Sequence, residues 1–137
     1  MLEKYVHGYS EIENVRLADQ ANTLNELLHH DSIFPKGSSV LEIGCGIGAQ
    51  TEILCKKNPD VHFTSADISL QSVLLAESRC KACGITNVKF LQADVYNLPF
   101  PEHSFDHVFI CFFLEHLPDP DGAIEKLKAL VRQGGIM

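Results

Sequence analysis

The sequence predicts an α/β fold, with a doubly wound parallel sheet that carries helices on both faces. From residue 36 onward, apolar runs of strand length alternate with segments of helical periodicity, which is typical of a parallel sheet. The run Val40–Ile43 leads into three glycines within five residues, and Asp67 follows about 20 residues later at the end of the next apolar run. With 137 residues, of which 45% are hydrophobic, the chain is long enough for one domain with a packed core.

Caps and glycines predict where the elements begin and end. Ser10 and Glu13 form a capping box, so an N-terminal helix should begin there and fade near His30. The later helices are expected at 49–57, from Ser69 to about Cys83, and from Pro120 to Val131. The strands are expected at 40–43, 61–66, 88–92 and 107–112. Strand and helix therefore alternate, which favours crossover connections in a parallel sheet.

Three carboxylates are expected at the carboxyl ends of neighbouring strands. Glu42 stands two residues before the first glycine, Asp67 closes the second strand, and Asp94 follows the third. In an open α/β sheet these ends face one crevice, and ligands bind there. A glycine turn between a strand and a helix lets a ligand approach the backbone closely. The sequence therefore predicts a nucleotide-type cofactor site at this edge.

The glycine spacing and the three acids indicate which cofactor. A dinucleotide fingerprint reads G-x-G-x-x-G, whereas Gly44, Gly46 and Gly48 read G-x-G-x-G. Three carboxylates would repel a pyrophosphate and would suit a cation that also carries hydroxyls and an amino group. S-adenosylmethionine has a sulfonium, an ammonium, a ribose and an adenine amine. In this interpretation Asp67 holds the two ribose hydroxyls.

Five short sequence motifs follow one another along the chain. They are "VLEIGCGIG" at 40–48, "SADIS" at 65–69, the loop 92–100, "FDHVFICFFLEHLPDP" at 105–120, and "LKALVRQGGIM" at 127–137, with Gln133 where proline is usual. In that order they resemble the class I S-adenosylmethionine-dependent methyltransferases, most closely the small-molecule, quinone-biosynthesis-like branch. The resemblance covers roughly residues 36–137 and implies a Rossmann-like fold with the strand order 3-2-1-4.

The resemblance also implies a role for single residues around the cofactor. Asp94 is expected near the adenine amine, with Val95 packing on the ring. Glu42 is expected to face the cofactor, and the alternative is that it braces the glycine loop. Tyr9 is expected to contact the methionine end, with plain packing as its alternative. The other cofactor-binding candidates are Gly44, Cys45, Gly46, Gly48, Asp67, Ile68 and Cys111.

The family fold continues past its fourth strand, whereas this chain should reach its fifth only where it ends, at Met137. We therefore expect an N-terminal helical segment, 1–35, that covers the cofactor site, and an S-adenosylmethionine-binding Rossmann-like domain, 36–137, that is truncated at its C-terminus. Strand four would then be an open apolar edge. Self-association through that edge, and weak or absent activity of the chain alone, would follow.

Other chemistry-bearing residues have a simpler interpretation. His116 is a candidate proton acceptor near the methyl group, and the alternative is that it caps the next turn. No base is specified for Cys111, so a nucleophilic role is not predicted for it. Cys80 and Cys83 form a C-x-x-C at a helix end, and no second pair follows, so no metal site is predicted.

Composition and charge exclude several classes of partner. The net charge is −7 with 11 lysines and arginines and no dense basic patch, so nucleic acid is not an expected partner. No apolar run reaches the roughly 18 residues that a membrane span needs, and no signal peptide is recognisable. Five cysteines, an odd number, favour a reducing cytoplasm.

The function predicted from these observations is S-adenosylmethionine-dependent methyl transfer to a small-molecule acceptor, with this chain supplying the cofactor-binding part. A non-catalytic cofactor-binding or interaction module is the first alternative. A nicotinamide-dependent oxidoreductase is the second, and the G-x-G-x-G spacing together with Asp94 argues against it.

Overall fold

The described part of the molecule is a five-stranded parallel sheet in the order β3-β2-β1-β4-β5. The structure is a computed structural model that describes residues 15–16, 31–110 and 113–137. Its strands are β1 (Ser39–Ile43), β2 (His62–Asp67), β3 (Val88–Gln92), β4 (Phe105–Ile110) and β5 (Val131–Ile136). Its helices are α1 (Ala49–Lys57), α2 (Leu70–Ala82) and α3 (Pro120–Leu130). None of the helices in these ranges is long and apolar enough to cross a membrane.

The helices begin at the residues that the sequence predicts. Gly48 precedes α1 with a φ of 88°, and Asn58 follows its last turn. Ser69 caps α2, because its hydroxyl accepts a hydrogen bond from the Ser72 N–H at 3.2 Å. Asp119 caps α3 in the same way, and a proline occupies the first helical position, where its missing N–H costs nothing. The predicted bounds of α1 are confirmed, and α2 ends one residue before its predicted end.

The sheet separates two apolar cores, which confirms the doubly wound architecture. Because side chains alternate along a strand, Val40 of β1 points to one face and Leu41 to the other. The Val40 core also contains Leu54 of α1. The Leu41 core also contains Leu127 of α3. Helices from different parts of the chain therefore cover opposite faces of the sheet.

The C-terminal segment corrects the prediction of a four-stranded sheet. Helix α3 ends at Leu130, and the chain continues directly into β5, which pairs in parallel with β4. Val131 lies opposite Phe105, and Ile136 lies opposite His107. The predicted order 3-2-1-4 is right for the first four strands, and the expectation that a fifth would begin only at the chain end is wrong.

Contacts with β4 explain why the chain leaves the helix at this point. Arg132 Nη1 donates to Asp106 Oδ1 at 2.9 Å, and the His103 ring hydrogen-bonds the Val131 carbonyl at 3.0 Å. The register shifts between the two paired positions, and Gly135 passes so close that a Cβ there would lie 2.1 Å from the Asp106 carbonyl oxygen. Only glycine allows that approach. The formation of β5 therefore depends on contacts with residues 103–107, which are distant from it in the sequence.

The open edge expected for strand four is therefore absent between β4 and β5. Val108 of β4 is only 4% exposed and belongs to the core on the α3 face. Self-association through a bare β4 edge loses its structural reason, because that edge is paired.

Two strands are shifted relative to their predicted ranges. Strand β2 spans 62–67 in place of 61–66, and β4 spans 105–110 in place of 107–112, with 111 and 112 outside the described residues.

Candidate cofactor site

The carboxyl ends of β1, β2 and β3 lie side by side, as predicted. Ile43 at the end of β1 is opposite Ala66, and Asp67 at the end of β2 is opposite Gln92. The loop after β3 continues this alignment, because the Ala93 N–H donates to the Asp67 carbonyl at 3.0 Å. The glycine turn, the acid after β2 and the acid after β3 therefore share one edge of the sheet.

The three glycines of the turn have three different surroundings. All have a positive φ: 79° at Gly44, 55° at Gly46 and 88° at Gly48. A Cβ on Gly44 would lie 2.5 Å from Phe113 Cδ1, and a Cβ on Gly48 would lie 2.9 Å from the Ala76 Cβ of α2. A Cβ on Gly46 would meet no described atom within 4 Å. Among the described residues, Gly46 therefore has open space at its Cβ position, whereas Gly44 and Gly48 are packed against protein.

The backbone N–H groups of the turn are held by acceptors inside the protein. Gly44 and Cys45 both donate to the Ala66 carbonyl, at 2.8 and 3.0 Å. Gly46 donates to Asp67 Oδ2 at 2.9 Å. A phosphate-binding turn directs such groups at its ligand. This turn instead allows a ligand to approach the glycine backbone closely, and it holds an ordered carboxylate, that of Asp67, beside that surface.

Asp67 is oriented by two backbone N–H groups. Its Oδ2 accepts from Gly46, and its Oδ1 accepts from Ser69 at 2.9 Å. A carboxylate has about four acceptor positions, so these two bonds orient the group and leave capacity for ribose hydroxyls. Ile68, the next residue, is 66% exposed and places an apolar side chain at the same edge.

Glu42 lies beneath the turn and is 2% exposed. Its Oε1 accepts from the Thr51 hydroxyl of α1 at 2.5 Å and from the Ser65 hydroxyl of β2 at 2.7 Å. Burial raises the pKa of this carboxyl, and the two hydroxyl bonds lower it only in part. The side chain thus ties β1, α1 and β2 together. This geometry favours the alternative in which Glu42 braces the glycine loop, and its partners are side-chain hydroxyls.

The loop after β3 places its two candidate residues differently. Asp94 is exposed, and its Oδ1 accepts from the Tyr96 N–H at 3.0 Å, which caps the short 3-10 turn Val95–Asn97. Val95 is 5% exposed and packs in the core on the α3 face. The Asp94 carboxylate is therefore exposed after β3, whereas the valine side chain, expected against the adenine ring, points into the protein.

The cysteine candidates divide by burial. Cys45 is buried under the turn, and burial raises the pKa of its thiol, which disfavours the nucleophilic thiolate. Burial likewise raises the pKa of Cys80 to about 11, while Cys83 is exposed. Tyr9 and Cys111 lie outside the described residues. Within 15–16, 31–110 and 113–137, no group of three or more His, Cys, Asp or Glu side chains could hold a metal ion.

Two residues after β4 border the same edge. His116 is exposed on the 3-10 turn Leu114–His116, with its Nε2 3.7 Å from Glu115 Oε1. Phe113 is half-buried, and its ring packs against Gly44. Sequence reasoning treated Phe113 only as part of an apolar run. No local signal could have found this contact, because it joins residues that are far apart in the sequence.

The residues at this edge fit S-adenosylmethionine. The edge is rich in hydrogen-bond acceptors: Asp67 binds the Gly46 N–H, and Asp94 is exposed after the neighbouring strand β3. No lysine or arginine occurs in the loops 44–48, 68–69 and 93–97. A cationic ligand with hydroxyls and an amine suits this surface, and a pyrophosphate does not.

Comparison with known proteins agrees with this geometry. Residues 40–135 match the family model described as a methyltransferase domain. The chain belongs to the methyltransferase domain family. The cofactor that the family implies is S-adenosyl-L-methionine.

Two curated relatives carry specific names. The chain is 38% identical over 98 residues to a malonyl-[acyl-carrier protein] O-methyltransferase of Paenibacillus sp., covering 70% of this chain and 36% of that protein. It is 32% identical over 102 residues to a demethylmenaquinone methyltransferase of Geobacillus stearothermophilus, covering 74% and 44%. The chain spans between about a quarter and about half of the length of the curated relatives it matches.

Solved structures share the fold. An S-adenosylmethionine-dependent methyltransferase of Aquifex aeolicus superposes with a TM-score of 0.68 at 21% identity, covering 84% of this chain and 67% of that one. The [4+2]-cyclase SpnF superposes with a TM-score of 0.68 at 24% identity, covering 85% and 40%. At these identities the likeness concerns the fold alone, and the fold is shared by enzymes of different reactions.

Proposed function

We propose that this chain forms the S-adenosylmethionine-binding part of a methyltransferase that acts on a small-molecule acceptor. The observation that carries the proposal is the open face of Gly46 beside the carboxylate of Asp67, which is held by the Gly46 N–H. Family membership supports the reaction type. The two named relatives, whose names specify malonyl-[acyl-carrier protein] and demethylmenaquinone, support an acceptor other than nucleic acid.

Each residue at the edge has a proposed role. The Asp67 carboxylate accepts hydrogen bonds from the ribose hydroxyls, and the Asp94 carboxylate accepts one from the adenine amine. Gly46 allows the ligand to lie against the backbone, and exposed Ile68 packs on the adenine ring. Glu42 supports the turn from below through its two hydroxyl partners.

When bound, S-adenosylmethionine supplies a methyl group that its own sulfonium already activates. The work of this chain is then to hold the donor so that an acceptor can approach in line. His116, exposed after β4, is the candidate base for acceptors that must lose a proton. Residues 1–35 are proposed to cover the cofactor, with Tyr9 at its methionine end, in a cytoplasmic protein.

Calorimetric titration with S-adenosylhomocysteine tests the cofactor. We expect micromolar-range binding and no heat of binding with NAD. Binding of NAD without any response to S-adenosylhomocysteine would contradict the proposal, because it would mean that the acidic edge accepts a pyrophosphate.

A second candidate function is a cofactor-binding module without methyl transfer. The similarity in fold to a [4+2]-cyclase supports this second candidate, since in that protein the same architecture serves a different reaction. Incubation with S-adenosylmethionine labelled in its methyl group, in the presence of quinone-type and malonyl-type acceptors, separates the two. Label in an acceptor identifies a methyltransferase. Tight binding with no transfer to any of these acceptors favours the module for this chain alone.

A further inference from the structure

The side chain of Tyr96 joins the loop after β3 to the beginning of α3. Its hydroxyl donates to the Asp119 carbonyl at 2.9 Å and accepts from the Asp119 N–H at 3.0 Å. Asp119 is itself the N-cap of α3, where its Oδ1 accepts from the Gly122 N–H at 3.1 Å. The phenol therefore binds the backbone at a point that the helix cap already holds in place.

The backbone of Tyr96 holds the carboxylate at the candidate site. Its N–H donates to Asp94 Oδ1 at 3.0 Å, and the next N–H, of Asn97, donates to the Asp94 carbonyl at 2.9 Å. Tyr96 is thus bonded to α3 through its side chain and to Asp94 through its backbone. A shift of Tyr96 would turn or release the Asp94 carboxylate.

The helix that receives Tyr96 is a fixed reference. Ala123 and Leu127 of α3 are 0% exposed and lie in the core beside β1 and β4. Tyr96 packs against the same core, and its neighbour Val95 is buried in it. The exposed Asp94 is therefore tied, through Tyr96, to a helix whose inner face is fully buried.

We propose that Tyr96 is a positioning residue that holds Asp94 for recognition of the adenine amine, which rests on the proposed function above. In this role its hydroxyl sets specificity for an amine-bearing base and does little for the rest of the ligand. Ligands without that amine should therefore be insensitive to the hydroxyl.

The test compares S-adenosylhomocysteine with its 6-deamino analogue, in which hydrogen replaces the adenine amine. A hydrogen bond to a charged group is worth at least about 1.5 kcal/mol, so the unchanged chain should prefer the adenosyl ligand by about tenfold or more. In Tyr96→Phe, which keeps the ring, we expect this preference to fall several-fold while the affinity for the 6-deamino ligand stays the same.

Two further variants make the result specific. Ser104→Ala is the matched control, because it removes another hydroxyl that bonds a backbone carbonyl, that of Pro101, in the same connection between β3 and β4. It should leave the preference unchanged. In an Asp94→Ala background the preference should already be lost, and adding Tyr96→Phe should not change it further.

Equal loss of affinity for both ligands in Tyr96→Phe would overturn the proposal, because the hydroxyl would then serve only the packing of the loop. An unchanged preference would overturn it as well. If the unchanged chain binds neither ligand, the proposed function itself fails. If it binds both with no preference, only the assignment of the amine to Asp94 and Tyr96 fails.

Discussion

Replacement of Gly46 by alanine probes the cofactor site with little disturbance of the fold. The added Cβ would meet no described atom within 4 Å. The Gly46 N–H can keep its bond to Asp67 Oδ2, because alanine retains that donor. The cost to the fold is then mainly the positive φ of 55°, which an L-residue adopts at about 1–2 kcal/mol.

The expected loss of binding free energy is separate from the loss of stability. If the ligand lies against the Gly46 surface, the methyl group occupies space that the ligand needs, and such overpacking costs about 1–3 kcal/mol. Since each 1.4 kcal/mol corresponds to tenfold, the affinity for S-adenosylhomocysteine should fall between about fivefold and about 150-fold.

A matched control is available at Gly37. It has a φ of 85° and also no described atom within 4 Å of a Cβ, but it lies in the turn before β1, at the opposite end of the strand. Gly37→Ala should lose a similar free energy of unfolding in a urea titration and should bind S-adenosylhomocysteine like the unchanged chain. Calorimetry on both variants, at a temperature where both are folded, gives the comparison.

Gly46→Ala binding as tightly as the unchanged chain would refute the reasoning, since the open face would then not be where the ligand lies. Equal weakening in Gly37→Ala would refute it in another way, because backbone strain at either position would then explain the loss.

Three further predictions concern the same edge. Asp67→Ala should weaken S-adenosylhomocysteine about tenfold to a hundredfold by calorimetry, with an unchanged circular dichroism spectrum. Gly48→Ala should lower the free energy of unfolding by about 2–5 kcal/mol, since its Cβ would press on Ala76; a urea midpoint equal to that of the unchanged chain would contradict this. Glu42→Gln should flatten the pH dependence of stability. Burial raises the pKa of the Glu42 carboxyl in the folded protein, whereas in the unfolded chain this carboxyl ionises near its usual pKa of about 4.5. Stability therefore falls as pH rises from that value towards the raised pKa. Glutamine has no such proton, so urea midpoints of the two proteins should diverge with rising pH.

Local signals determined much of the fold from sequence. The bounds of α1 follow from a glycine turn before it and Asn58 with its following proline after it. Ser69 and Asp119 act as caps because a short oxygen-bearing side chain satisfies helix N–H groups whatever the tertiary context. The alternation of strand and helix then placed the acids at neighbouring strand ends, because parallel strands leave the sheet at the same edge.

Contacts between distant segments decided the rest. Val131 is compatible with the last turn of a helix or with a strand, and pairing with β4 decides for the strand. Likewise a glutamate before a glycine motif predicts an acid at the site, but only the meeting of β1, α1 and β2 buries Glu42 against the hydroxyls of Thr51 and Ser65.

What the sequence by itself determined about this protein is the order of its elements, the glycine turn and the presence of acids at one edge. The tertiary structure alone decided which acid is buried, which glycine faces open space and which tyrosine holds Asp94. The physical reason is the separation along the sequence of the residues that interact. Caps, turns and alternation are set by residues within a few positions, whereas burial, close approach and side-chain hydrogen bonds depend on partners that only folding brings near.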